Sequence, residues 1–132
     1  MNDPLAALET ILAKARQRGL DNIPSYVESG TYKGASTEAA ARLFQCVATI
    51  ELSSFHYKNA ARRFASYEHV VVLYGNSAEH IEWMSEDIGL DTLWFLDGHW
   101  SPRCEHAAKS PLPLWDELSA IMTRDRHEVI VV

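Results

Sequence analysis

The sequence predicts an α/β domain: an open, mostly parallel sheet of about five strands with helices on both faces. Three observations predict it. Helical and strand patterns alternate along the chain with only short breaks, as they do in chains that build parallel sheets. The run His69-Val70-Val71-Val72-Leu73-Tyr74 is nearly all apolar, as expected of a strand covered on both faces. The polar, glycine-bearing segments fall where a strand pattern ends and a helical one begins.

In order, the elements read as follows. Residues 4–18 are a helix: Pro4 suits the first turn, Leu5, Leu8, Ile11, Leu12 and Ala15 form an apolar stripe, and Gly19 ends it. Residues 25–28 are a short strand running into a glycine loop. A helix over 36–44 is opened by Ser36 or Thr37 as its N-cap. Residues 47–52 are a second strand. Ser54 caps a helix over 54–64, with Phe55, Ala60, Ala61 and Phe64 on its buried side. The third strand, 69–74, turns at Gly75-Asn76-Ser77 into a helix over 78–88, closed by Gly89. Residues 92–96 are a fourth strand, 101–113 a looser proline-bearing segment, 114–122 a helix and 128–132 a fifth strand.

At 132 residues, 47% of them hydrophobic, the chain suits a single domain over 1–132, with an N-terminal helix at 1–19 and a core at 24–132. A net charge of -6 argues against a nucleic-acid partner, since phosphate contacts need clustered Lys and Arg. Arg62 and Arg63 read as a solvated helix face. No apolar run reaches membrane-spanning length and the polar start does not resemble a secretory signal, so the expectation is a cytoplasmic protein with no membrane partner. Cys46 and Cys104 are then free thiols, Cys46 packed in the core.

Four junctions carry the chemistry: Glu28 to Gly34, Glu51 to Ser54, Gly75 to Ser77, and Asp97 to Trp100. In open parallel sheets the carboxyl ends of the strands are where ligands bind. In the first junction Gly30 and Gly34 allow a tight turn and close approach to a ligand. Glu28, just before them, would repel a pyrophosphate, and the dinucleotide pattern G-x-G-x-x-G is absent. This favours a sulfonium and amino-acid cofactor over NAD. Glu51 can accept hydrogen bonds from both hydroxyls of a ribose, or merely pair with a neighbouring base. Asn76 can face an adenine edge while Ser77 caps the next helix, although Asn is also a common turn residue.

These segments resemble the motifs of the class I S-adenosylmethionine-dependent methyltransferases. Tyr26-Val27-Glu28-Ser29-Gly30-Thr31-Tyr32-Lys33-Gly34 is similar to the first motif, with Tyr32 in place of its middle glycine, as in some sugar-modifying O-methyltransferases. Ile50-Glu51-Leu52-Ser53 resembles the second, Gly75-Asn76-Ser77-Ala78 the third, and Phe95-Leu96-Asp97-Gly98-His99-Trp100 the fourth. The resemblance runs over residues 24–132. It implies a Rossmann-like core that binds S-adenosylmethionine through Glu28, Ser29, Gly30, Thr31, Tyr32, Gly34, Glu51, Leu52, Ser53, Asn76 and Ser77.

It further implies methyl transfer, to the oxygen of a small-molecule or sugar-type acceptor, with Asp97 and His99 on the catalytic edge and His99 as the base. In relatives an Asp at that point can instead ligate a divalent metal, but the further acidic ligands are not seen in this chain. His99, Cys104 and His106 match no standard zinc spacing, so no metal ligand is assigned. The family fold continues past the fifth strand, so a C-terminally truncated chain is the expectation, and an uncovered sheet edge leaves a homodimer open. The competing readings are a non-catalytic cofactor-binding module and an NAD-linked oxidoreductase. His56, His69 and His80 stand in no motif and read as surface or packing residues.

Overall fold

The computed structural model describes residues 3–96, 113–124, 126 and 128–132. The elements, in chain order, are α1 (Pro4–Gln17), β1 (Ser25–Ser29), α2 (Ala35–Leu43), β2 (Cys46–Glu51), α3 (Ser54–Arg63), β3 (Val70–Tyr74), α4 (Ser77–Asp87), β4 (Thr92–Leu96), α5 (Pro113–Met122) and β5 (Glu128–Val131). All strand pairs are parallel, and the sheet order is β3-β2-β1-β4-β5. Among the described residues no helix is long and apolar enough to cross a membrane.

Side chains two apart share a face of a strand, and the core divides accordingly. Tyr26, Val47, Val70 and Leu93 meet Leu8 and Ala15 of α1, Ala39 and Ala40 of α2 and Ala60 of α3. On the other face Val27, Ile50, Trp94 and Leu96 meet Ile81 and Met84 of α4 and Ile121 of α5. The α1 stripe packs as its spacing requires. Asp3 caps that helix, its carboxylate accepting from the Leu5 N–H at 3.0 Å.

The chain winds outward from β1 to β3, then returns to the other side of β1 as β4, and its helices change face at the same step. The carboxyl ends of β1 and β4 therefore flank a topological switch point, where open α/β sheets hold their ligands. Ser29 and Leu96, the last residues of these two strands, lie directly opposite each other.

Several local expectations are corrected. The α2 N-cap is Gly34, with no side-chain cap, because Ser36 and Thr37 turn their hydroxyls inward to Glu28. Ser53, not Ser54, caps α3, and Asn76, not Ser77, caps α4, its Oδ1 accepting from the Ala78 N–H at 2.9 Å. In each case the capping oxygen must precede the first helical residue. Phe55, on the first turn of α3, is exposed, as is Cys46 at the start of β2. The apolar β3 is an edge strand, with Val71 53% exposed. Its composition reflects β propensity; only the strand order reveals that one face lies partly open.

Candidate functional site

The first junction is built around a buried carboxylate. Glu28 lies on the α2 face of β1 at 1% exposure. Its Oε1 accepts from the Tyr26 hydroxyl at 2.7 Å and the Ser36 hydroxyl at 2.9 Å. Its Oε2 accepts from Thr49 at 2.7 Å and also from Thr37. Thr49 is itself 2.5 Å from the Thr31 hydroxyl. Burial pushes the Glu28 carboxyl above its ordinary value of 4.5, against the pull of the four hydroxyls. The carboxylate thus joins β1, β2 and the first turn of α2 from beneath, and Thr49 carries the network on to Thr31 of the glycine loop. Ser29 is fully buried at the strand end.

Above it the loop runs through Gly30, Thr31, Tyr32 and Gly34. Tyr32 has φ +50°, a left-handed conformation that glycine adopts freely and other residues adopt at a cost of about 1 kcal/mol. A glycine is the usual residue at this place in the motif. Here Glu51, at the end of β2, offsets the cost by accepting the Tyr32 N–H at 2.7 Å on Oε1. Its Oε2 accepts the Ser53 N–H at 2.9 Å. One carboxylate therefore holds two loops in register, and Leu52 lies between its contacts. The Tyr32 ring projects outward, 58% exposed, against His56 at a centroid distance of 4.9 Å.

Arg63 is a residue that the sequence reading missed. It reaches from the end of α3 to donate to the Lys33 carbonyl at 2.6 Å and to Glu38 Oε2 at 2.5 Å. It draws the Glu38 carboxyl below its ordinary value, chiefly through that hydrogen bond. Gly34 explains the fit. Its φ is +85°, and a Cβ there would lie 3.0 Å from Arg63 Nη1 and 3.2 Å from the Phe64 ring. No sequence signal links residues thirty positions apart, so Arg63 looked like any solvated helix residue.

The Arg63→Ala variant is expected to lose about 1 kcal/mol of stability at neutral pH, since both contacts are open to solvent. Because the Glu38 value is depressed in the fold, its contribution is present above the ordinary carboxylate value and lost as pH falls through the depressed one. Denaturant unfolding of the two proteins should therefore differ less in acid than at pH 7. A gap that widens in acid would refute the assignment.

The third junction lies beside these two: the Gly75 N–H donates to the Glu51 carbonyl at 3.0 Å. Asn76 spends its side-chain oxygen on the cap and keeps its amide N–H groups. Ser77 opens α4. A groove of about 650 Å³ between α4 and α5 begins at Asn76 but runs away from the strand ends, lined by Glu79, Glu82, Glu86 and Asp116. Asp97 and His99 lie outside the described residues, as do Trp100, Cys104 and His106. Among the described residues no three His, Cys, Asp or Glu side chains come together as a metal would require.

The structure thus brings the residues of three predicted junctions, Glu28 to Gly34, Glu51 to Ser54 and Gly75 to Ser77, to one end of the sheet. No known family profile and no curated protein matches the sequence. Solved structures do match. A Klebsiella pneumoniae protein assigned as an O-methyltransferase aligns with TM-score 0.61 at 21% identity, over 89% of this chain and 51% of that one. An O-methyltransferase from Bacillus cereus in complex with S-adenosylhomocysteine aligns with TM-score 0.59 at 18% identity, over 96% and 63%. CalS10, an amino pentose methyltransferase from Micromonospora echinaspora with S-adenosylmethionine bound, aligns with TM-score 0.56 at 16% identity, over 92% and 45%. The chain spans between 45% and 63% of the length of these three structures. With its parallel order β3-β2-β1-β4-β5 and helices on both faces, this chain has the fold of the class I S-adenosylmethionine-dependent methyltransferases.

Proposed function

We propose that this chain binds S-adenosylmethionine and serves methyl transfer to an oxygen of a small-molecule or sugar-type acceptor. The observation that carries the reading is the Glu51 carboxylate at the end of β2. Each of its oxygens accepts one backbone N–H, and each retains a second acceptor direction. Two acceptors side by side suit the two adjacent hydroxyls of a ribose. Gly30, Thr31, Tyr32 and Gly34 would hold the amino-acid end of the cofactor, with Ser29 at their base and Glu28 setting the loop from below. Leu52 and Ser53 would border the ribose, and Asn76 with Ser77 the adenine.

The chemistry the cofactor supplies when bound is a methyl group activated on a sulfonium centre. What the chain must add is position, plus a base if the acceptor is a hydroxyl. Asp97 and His99 follow Leu96, the last residue of β4, in the sequence. We assign them to the acceptor side, His99 to take the hydroxyl proton. The O-methyltransferases among the matching structures favour oxygen as the acceptor atom.

Calorimetric titration with S-adenosylhomocysteine, with NAD as control, tests the cofactor. Wild type is expected to bind it, and Glu51→Gln to bind about ten- to a hundredfold more weakly, because a neutral amide replaces a charged acceptor. A folded wild type that ignores S-adenosylhomocysteine would end the reading, and preference for NAD would replace it with the oxidoreductase. Binding without turnover of any acceptor would favour a non-catalytic module.

A further inference from the structure

We propose that His80 is a positioning residue for the adenosine side of the site, an inference that rests on the cofactor reading above. The peptide unit that joins Tyr74 to Gly75, where β3 ends, is held at both of its poles. Its N–H, on Gly75, donates to the Glu51 carbonyl at 3.0 Å. Its C=O, on Tyr74, accepts from His80 Nε2 at 2.9 Å. A planar peptide gripped at both poles has no freedom left to rotate. That plane sets the direction in which Gly75, Asn76 and Ser77 leave the sheet, and it is tied to the residue assigned to the ribose.

The imidazole is held in turn. Trp83, one turn further along α4, donates its indole N–H to His80 Nδ1 at 3.1 Å. An indole nitrogen can only donate, so Nδ1 must be the bare nitrogen and Nε2 must carry the hydrogen that the Tyr74 carbonyl accepts. Only this tautomer satisfies both contacts. The rings meet edge to face with centroids 6.0 Å apart. Gly75 makes the approach possible. Its φ is +133°, and a Cβ on it would lie 3.1 Å from His80 Nε2. The small residue of the turn and the imidazole behind it are therefore matched in shape.

His80 thus acts on the ligand side only through the backbone it holds. Removing it would release the carbonyl pole of the Tyr74–Gly75 peptide, leaving the Gly75 N–H on the Glu51 carbonyl and touching neither the Glu51 carboxylate nor the glycine loop.

The experiment titrates wild type, His80→Ala, His80→Gln and Trp83→Phe with S-adenosylhomocysteine and, separately, with adenosine. His80→Ala is expected to bind both about tenfold more weakly, the effect of one lost hydrogen bond. His80→Gln should recover most of that, since its side-chain N–H can reach the same carbonyl, and Trp83→Phe should lose about threefold. Nitrogen NMR of the wild-type imidazole should show Nε2 protonated and Nδ1 bare. Equal affinities for wild type and His80→Ala would overturn the proposal alone, and so would a glutamine as impaired as the alanine, because packing rather than a donor would then matter. An Nδ1-protonated ring would overturn it too. A wild type that binds neither ligand would instead take down the cofactor reading, and this inference with it.

Discussion

Replacing Glu28 with alanine is expected to cost about 3–5 kcal/mol of folding stability, among the largest effects available to a single substitution in this chain. The carboxylate collects hydroxyls from Tyr26, Ser36, Thr37 and Thr49 in a space closed to water. Alanine leaves a cavity and removes the common acceptor of all four. Glu28→Gln keeps the shape but turns one acceptor into a donor, so two hydroxyls must reverse, at about 1–3 kcal/mol. Denaturant unfolding measures both. A loss below about 1 kcal/mol in Glu28→Ala would mean that the hydroxyls find other acceptors and that the carboxylate is not the hub.

The pH dependence provides a second check on the same residue. Burial raises the Glu28 value above 4.5. A group whose folded value is raised contributes stability that is fully present below the unfolded value and is lost as pH rises through the folded one. Wild-type stability should therefore carry a component that declines upward from about pH 4.5, and Glu28→Gln should lack it. If the difference between the two proteins stayed flat across that window, the raised value would be wrong.

The second large effect lies at the opposite end of the sheet. Arg124→Ala is expected to destabilise the fold by about 3–5 kcal/mol, as breaking a buried ion pair does. The Arg124 side chain is 3% exposed, and its Nε donates to Glu128 Oε1 at 2.8 Å. Nη1 donates to the carbonyls of Ser85 and Ile88 at 2.8 and 2.9 Å, and Nη2 to that of Leu90 at 2.8 Å. The last turn of α4 has no basic residue of its own, and Arg124 supplies the positive charge that its carbonyl end favours. Its guanidinium also lies 5.4 Å from the Trp94 ring centroid, and the Trp94 indole donates to Glu128. One side chain fastens α4 to β4 and β5.

Lysine at 124 should recover only part of the loss, because an ammonium cannot present the guanidinium's fork of donors. Thermal unfolding of Arg124→Ala, Glu128→Gln and the double variant would reveal the coupling. Strictly additive losses would show that the pair does not act as a unit. Since the contacts lie where β4 and β5 begin, the folded variant should keep its affinity for S-adenosylhomocysteine, in contrast to Glu51→Gln.

By itself the sequence determined the element order, the parallel α/β class and the three described junctions at which polar and glycine residues gather. These are local properties. Apolar spacing fixes the period of each element, and a strand that ends in Glu28-Ser29-Gly30 or Ile50-Glu51-Leu52 is legible from its neighbours alone. The tertiary structure decided everything that depends on who meets whom. It made β3 an edge strand despite its apolar run and left Cys46 exposed. It also turned Ser36 and Thr37 from candidate caps into donors for Glu28. It brought Arg63 to the Lys33 carbonyl, His80 to the Tyr74–Gly75 peptide and Arg124 to the end of α4. The physical reason is common to these cases. A hydrogen bond, a buried charge or a covered face needs a partner in space, and the local period of the chain does not name that partner, whether it lies six residues away, as Tyr74 does from His80, or thirty-nine, as Ser85 does from Arg124.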